Sequence, residues 1–249
     1  MKLTDIPIIL LCLISSILKG QQIETNNDMY YNGDSYRICK IPVTNETVAK
    51  FQILENKTFL SHQAFLSSMV KDSFYLIINA SVSDSFCNPI GYYAKNYQVV
   101  KPIDLGDGKG NFYLKPNGAL LFTATDAIIC ESSKISNYQN VRLGVQSGPL
   151  LIANGVINKQ FNASSQNKNI RCGVGIFTNQ KNEKFLVFCV SNNPVTFYNF
   201  AQFFHAKLKC NNALCLESGN CVIGLPYLPY TGEYNSNGIC NYLYFPTKR

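Results

Sequence analysis

The sequence predicts an α+β fold: one domain with a mixed β-sheet and packed helices. Three observations carry this. Short apolar runs of strand length recur along the chain, as at 74–78, 150–153 and 171–177. One stretch, at about 185–217, reads as strand, helix and strand in succession, the signature of a βαβ unit with parallel strands and a right-handed crossover. No internal repeat or linker-like stretch divides the 249 residues, so one domain from about 25 to 249 is the simplest organisation. The 46% hydrophobic fraction supports a sizeable core, and only 15% of residues are charged, which excludes a disordered chain.

The segment MKLTDIPIILLCLISSILKG, residues 1–20, has an early Lys and an apolar stretch from Ile6 to Leu18. It reads as a secretory signal peptide cut near Gly20, with an uncleaved anchor as the alternative. No later run is long enough to cross a bilayer, so no integral span is expected after cleavage, and the protein is expected to be secreted.

Nine cysteines lie beyond that segment, and outside the cytosol they favour disulfides over zinc ligands. An odd number leaves at least one free or paired with another chain, and Cys189, inside Phe185-Leu186-Val187-Phe188-Cys189-Val190, is the candidate for a buried, inert thiol. With only His62 and His205 present, no metal site and no cofactor are expected. Four glycosylation sequons begin at Asn45, Asn56, Asn79 and Asn162. The formal charge of +7 is spread along the chain without a dense run. It permits an anionic ligand but gives no reason to expect nucleic acid.

In chain order, Tyr36–Val43 reads as a first strand and Phe59–Val70 as a helix. The run Phe74-Tyr75-Leu76-Ile77-Ile78 ends in Asn79, a buried strand delivering a polar side chain at its carboxyl end. Asn79 is either a turn residue or a ligand-binding amide. The Gly-rich stretch Gly106–Asn111 lacks the GK[ST] ending of a phosphate loop and no helix follows it. Pro116-Asn117-Gly118 between two apolar runs signals a hairpin, and so does Asn154-Gly155 between 150–153 and 156–157. Arg171 opens a Gly-containing strand through Phe177 and is either a surface ion-pair residue or an anion fork.

The βαβ stretch itself starts with the strand Phe185–Val190, stopped by Ser191-Asn192-Asn193-Pro194. Phe197, Phe200, Ala201, Phe204 and Leu208 then recur at helical spacing. Ala213–Leu216 forms the second strand and delivers Glu217, followed by Ser218-Gly219-Asn220. In open α/β sheets the functional groups gather at such carboxyl ends, so Glu217 is where chemistry is expected.

Taken together, Asn79-Ala80, Pro89-Ile90-Gly91, Gly110 through Gly118, Gln146-Ser147-Gly148-Pro149, Arg171 with Gly173-Val174-Gly175, and Val190 through Leu214 resemble, in order and spacing, the phosphodiester glycosidase family over about residues 74–220. The likeness is to the N-acetylglucosamine-1-phosphodiester alpha-N-acetylglucosaminidase type, and within it to the compact bacterial secreted branch. The resemblance implies a mixed α/β fold and hydrolysis at the anomeric carbon of a sugar-1-phosphodiester, with a carbohydrate or phospho-sugar as ligand. It implies catalytic roles for Glu217, Asn79 and Arg171, and substrate contacts from Gly148, Ser147, Asn111 and Arg171.

Two motifs depart from the family pattern. Asn79-Ala80-Ser81 stands where the family has Asn-Ala-Gly, and Leu216-Glu217-Ser218-Gly219 where it has Leu-Asp-Gly-Gly or Leu-Asp-Gly-Ser. The longer acid moves the carboxylate by roughly 1.5 Å, and misplacement on that scale can cost about a hundredfold in rate. A serine at 218 also excludes any cheap positive-φ backbone there. The alternative to a hydrolase is therefore a catalytically degenerate glycan- or phospho-sugar-binding protein or effector on the same scaffold. A Ser-His-acid hydrolase is a distant third, since no G-x-S-x-G elbow is present.

Overall fold

The computed structural model describes residues 23–57, 61–69, 74–225 and 239–247. The expected signal segment lies outside them, as do residues 226–238. Strands β1 (Glu24–Tyr31) and β2 (Asp34–Pro42) form a hairpin about Asn32-Gly33, both at positive φ. Helix α1 (Asn45–Lys50) starts at Thr44, whose side chain caps the Thr47 amide while Thr47 returns the bond. Next come β3 (Gln52–Glu55), α2 (His62–Met69) and β4 (Phe74–Asn79). The middle of the chain supplies β5 (Tyr93–Lys95), β6 (Gln98–Lys101), β7 (Gly118–Phe122), β8 (Ala127–Glu131), β9 (Leu143–Ser147), β10 (Leu150–Ala153) and β11 (Val156–Ile157). After a mostly exposed loop follow β12 (Arg171–Thr178), β13 (Lys184–Ser191) and α3 (Phe197–Gln202), which runs on into a π-helical turn, Phe203–Lys207. Then come β14 (Asn212–Ser218), β15 (Ile223–Gly224) and β16 (Asn241–Pro246).

The strands form three sheets: β1-β2-β13-β12-β14-β10-β11, β15-β4-β16-β3 and β6-β5-β9-β7-β8. One core is shared by all three, with Ile41, Leu186 and Leu216 from the first, Ile78, Leu243 and Phe245 from the second, and Leu120, Phe122 and Val145 from the third. The outer face of the seven-stranded sheet is covered by α3 and its π turn, where Phe200, Phe203 and Phe204 pack on Tyr36, Val187 and Cys215. The disulfide Cys87–Cys240 staples the segment after β4 to the start of β16, across 153 residues of sequence. Cys189 is buried and free, as expected, and so are six further cysteines. Among the described residues no group of His, Cys, Asp and Glu has the geometry to hold a metal ion.

The expected mixed sheet with packed helices is overturned: the protein is mostly β, and every ladder in the three sheets is antiparallel. The stretch at 185–217 is not a βαβ unit of adjacent strands. β13 and β14 each pair antiparallel with β12, which lies between them, so they run the same way without sharing a ladder. The apolar runs misled for a physical reason. Continuous hydrophobic strands usually mark parallel sheets buried on both faces; here an antiparallel sheet is buried on both, by the core below and the aromatic helix above.

The hairpin expected at Pro116-Asn117-Gly118 is also absent. Residues 111–113 form a 3-10 turn, neither Asn117 nor Gly118 takes positive φ, and Asn117 is buried with its amide toward the Phe112 carbonyl. β7 instead turns into β8. The Asn154-Gly155 hairpin forms as expected, both residues at positive φ between β10 and β11.

Candidate active site

The site is built around residues 216–222, where β14 leaves the sheet. Opposite Gly173 stands Cys215, but opposite Cys172 stands Glu217, so Leu216 is an extra residue on β14. Such a bulge re-aims the side chains beyond it. Ser218 then pairs with Arg171, and Gly219, at φ +100°, turns the chain away. Because the positive φ falls on Gly219 and not on Ser218, the serine at 218 brings none of the backbone strain expected from the sequence.

Three side chains, one from each sheet, hold this segment. From β4, the Asn79 amide donates to the Asn220 carbonyl at 2.8 Å and accepts from the Val222 N–H at 2.8 Å. From β9, Ser147 Oγ donates to the Leu216 carbonyl at 2.9 Å. From β12, Arg171 Nη1 donates to Ser218 Oγ at 2.7 Å. All three residues are buried. Gly148 lies beside Ser147 in a space no side chain fits, since an added Cβ would sit 2.8 Å from Asn117 Cβ and 2.9 Å from the Phe112 carbonyl. Asn111 is exposed at the head of the adjoining 3-10 turn and is not part of this buried group.

Arg171 is fully enclosed. Its guanidinium lies 3.5 Å from the centre of the Phe197 ring, and its Nε and Nη2 donate to the carbonyls of Val195 and Asn167. Its partners here are neutral oxygens, and no ion pair among the described residues includes it. Burial holds its pKa below the usual range, though a guanidinium remains a cation. The site thus contains a desolvated positive charge compensated only by dipoles.

Glu217 is partly exposed, and its carboxylate accepts the Ser218 N–H at 2.8 Å. Desolvation pushes its pKa up to about 7, opposed in part by that amide. A carboxyl poised there can give or take a proton near neutrality. Pairing with Cys172 sets Glu217 on the core side of the sheet, whereas Arg171 and Ser218 point to the helix side. Acid and cation therefore flank the end of β14 from opposite faces and do not form an ion pair.

A cavity of about 320 Å³ opens at the other end of β14, lined by Ile129, Leu150, Ile176, Lys184 and Asn212 among others; none of the expected site residues reaches it. The clamping roles were not legible, because Asn79 and its partners are 141 and 143 residues apart in sequence. Ser218 was noticed as a departure from the family pattern but not as the acceptor for Arg171.

The family model "Phosphodiester glycosidase" matches residues 72–220, more than half of the chain, and takes in Asn79, Ser147, Arg171, Glu217 and Ser218. The chain belongs to the phosphodiester glycosidase family. The Escherichia coli (strain K12) protein "Uncharacterized protein YigE" is 32% identical over 142 residues, which are 57% of this chain and 54% of that one. The match thus spans about half the length of that relative. Among solved structures, the catalytic domain of zebrafish N-acetylglucosamine-1-phosphodiester alpha-N-acetylglucosaminidase, auto-inhibited by its pro-peptide, superposes with a TM-score of 0.57 over 92% of this chain and 83% of its own, at 12% identity. At that identity the likeness establishes a shared fold. The family assignment makes the fold that of a glycosidase, and carbohydrate the expected class of ligand.

Proposed function

We propose that this protein is a secreted hydrolase of the glycosidic bond in sugar-1-phosphodiesters, of the N-acetylglucosamine type, with Glu217 as its acid–base residue. One observation carries the reading: side chains from all three sheets converge on the segment that presents a carboxyl poised near neutrality. Cleaving the sugar C–O bond develops oxocarbenium character at the anomeric carbon, which a carboxylate stabilises. The departing phosphate monoester is already a good leaving group, so stabilising its charge matters as much as protonating it. Arg171, being enclosed, acts on that phosphate through Ser218. The serine oxygen accepts from Nη1, which leaves its O–H free to donate outward, polarised by the cation behind it. Asn79 and Ser147, whose polar atoms are taken up by the segment itself, position it. The family membership supports the reaction class, and the zebrafish enzyme's name supports the sugar. The Cys87–Cys240 disulfide supports an oxidising compartment.

A degenerate binding protein is the second reading. It is favoured by the Glu217-Ser218 pair in place of Asp-Gly and by the enclosure of Arg171, which as placed touches no solvent. Incubation of the purified protein with N-acetylglucosamine-α-phosphate diesters, with Glu217→Gln beside it, separates the two. Free sugar released by the wild type and not by the variant supports the hydrolase. Saturable binding without release supports the binding protein. Neither outcome, with a folded protein, removes both.

A further inference from the structure

The main-chain carbonyl of Glu217 is surrounded by thiols. Cys215 Sγ lies 3.2 Å from it, Cys221 Sγ 3.3 Å and Cys172 Sγ 3.7 Å. Three buried thiols on one acceptor exceed what that oxygen needs, since a carbonyl has two lone pairs. Two of the three also lie on the same side. Cys172 and Cys221 belong to the shared core on one side of the seven-stranded sheet and reach the same carbonyl oxygen, whereas Cys215 packs with the aromatic helix on the other side. Cys221 Sγ reaches back further to the Ile170 carbonyl at 3.5 Å, so it lies against the start of β12.

We propose that Cys172 and Cys221 are the site of a second disulfide, which locks the 217–221 turn onto β12 when the chain matures in an oxidising compartment. The co-reactant is a disulfide donor such as glutathione disulfide. One thiolate attacks a donor sulfur, forming a mixed disulfide and expelling one donor thiolate. The other thiolate then attacks the protein sulfur of that mixed disulfide, expelling the second. Two cysteine thiols and one donor disulfide become one protein disulfide and two donor thiols. In the folded protein both sulfurs are nearly inaccessible, so the exchange takes place before the turn closes over β12. Afterwards Cys215 alone remains as an S–H donor to the Glu217 carbonyl. The cross-link joins the strand that begins with Arg171 to the turn that contains Ser218, across a loop of about 50 residues.

The full chain, expressed through a secretory route, is quenched with an alkylating agent under denaturing, non-reducing conditions and mapped by mass spectrometry. A Cys172–Cys221 peptide pair beside Cys87–Cys240 is expected, with Cys39, Cys130, Cys189, Cys210 and Cys215 alkylated. Alkylation of both Cys172 and Cys221, or a bond from either to Cys215, overturns the proposal. That mapping needs no variant; a second measurement reads the loop constraint as a melting temperature. In 1 mM glutathione disulfide, Cys172→Ser is expected to melt roughly 10 °C below Cys215→Ser, as befits a lost loop constraint of this length. After reduction with dithiothreitol that gap is expected to close. Equal melting temperatures of the two variants before reduction also count against it.

Discussion

Replacing Glu217 with glutamine tests the site through stability, independently of any substrate. Glutamine keeps the size and the oxygen that accepts the Ser218 N–H, and it removes the charge. Desolvation raises the Glu217 pKa from its ordinary 4.5 to about 7. Below 4.5 the carboxyl is neutral in both folded and unfolded chains and contributes no pH dependence. Between 4.5 and 7 the folded state holds a proton that the unfolded state has lost, so stability falls as pH rises through that window. Above it the full penalty, about 3 kcal/mol, is present. Glu217→Gln is therefore expected to match the wild type near pH 4 and to exceed it by up to about 3 kcal/mol at pH 8, a gain of roughly 6–12 °C in melting temperature. Calorimetric scans of both proteins from pH 4 to 8 measure the divergence. Parallel profiles would refute the reasoning, because they would mean that Glu217 is solvated and ordinary. The pattern of a variant more stable yet inactive is that of a site whose chemistry conflicts with folding.

Other perturbations follow from the same geometry. Arg171→Lys keeps the charge but cannot hold Ser218, Val195 and Asn167 together; it should lower stability by about 2–4 kcal/mol in urea unfolding and weaken N-acetylglucosamine-1-phosphate more than N-acetylglucosamine in calorimetric titrations. Equal losses for the two ligands would argue against a phosphate role. Asn79→Ala strands the Asn220 carbonyl and the Val222 N–H, at about 2–3 kcal/mol, and hydrogen exchange at Val222 should accelerate while exchange within β13 does not. Of the four sequons, Asn45 and Asn162 are exposed, whereas Asn56 and Asn79 are buried with their amides hydrogen-bonded. Glycopeptide mapping of secreted material should find glycans on the first two only, and occupancy at Asn79 would contradict the clamp.

Much of this molecule could be read from its residues. β4, β12, β13 and β14 announced themselves as apolar runs, and α3 by its phenylalanine spacing. Asn79, Arg171 and Glu217 stood out as polar groups at strand ends and Ser147 through the family resemblance, and the fold does bring the four to one place. Strand order did not follow, because nothing local in β13 or β14 records that β12 lies between them. The Asn32-Gly33 hairpin was legible from its dipeptide and went unread in an Asn- and Tyr-rich stretch. The roles of Asn79 and Ser147 as clamps had no local signal either. A buried amide looks the same in sequence whether its partner is a ligand or the protein's own backbone.

The four-stranded sheet has a consequence for how the chain is made. Among the described residues β4 pairs only with β15 and β16, both more than 140 residues further along and beyond the 72–220 stretch that the family shares. During synthesis its Leu76, Ile77 and Ile78 emerge with two open edges and wait for partners that come last. The site waits with them, since Asn79 has nothing to clamp until Asn220 and Val222 arrive. A fragment confined to the family stretch would leave β4 permanently in that state, with an apolar strand open on both edges. Expression of residues 72–220 alone should therefore give aggregate, and the smallest unit able to fold must extend through Pro246.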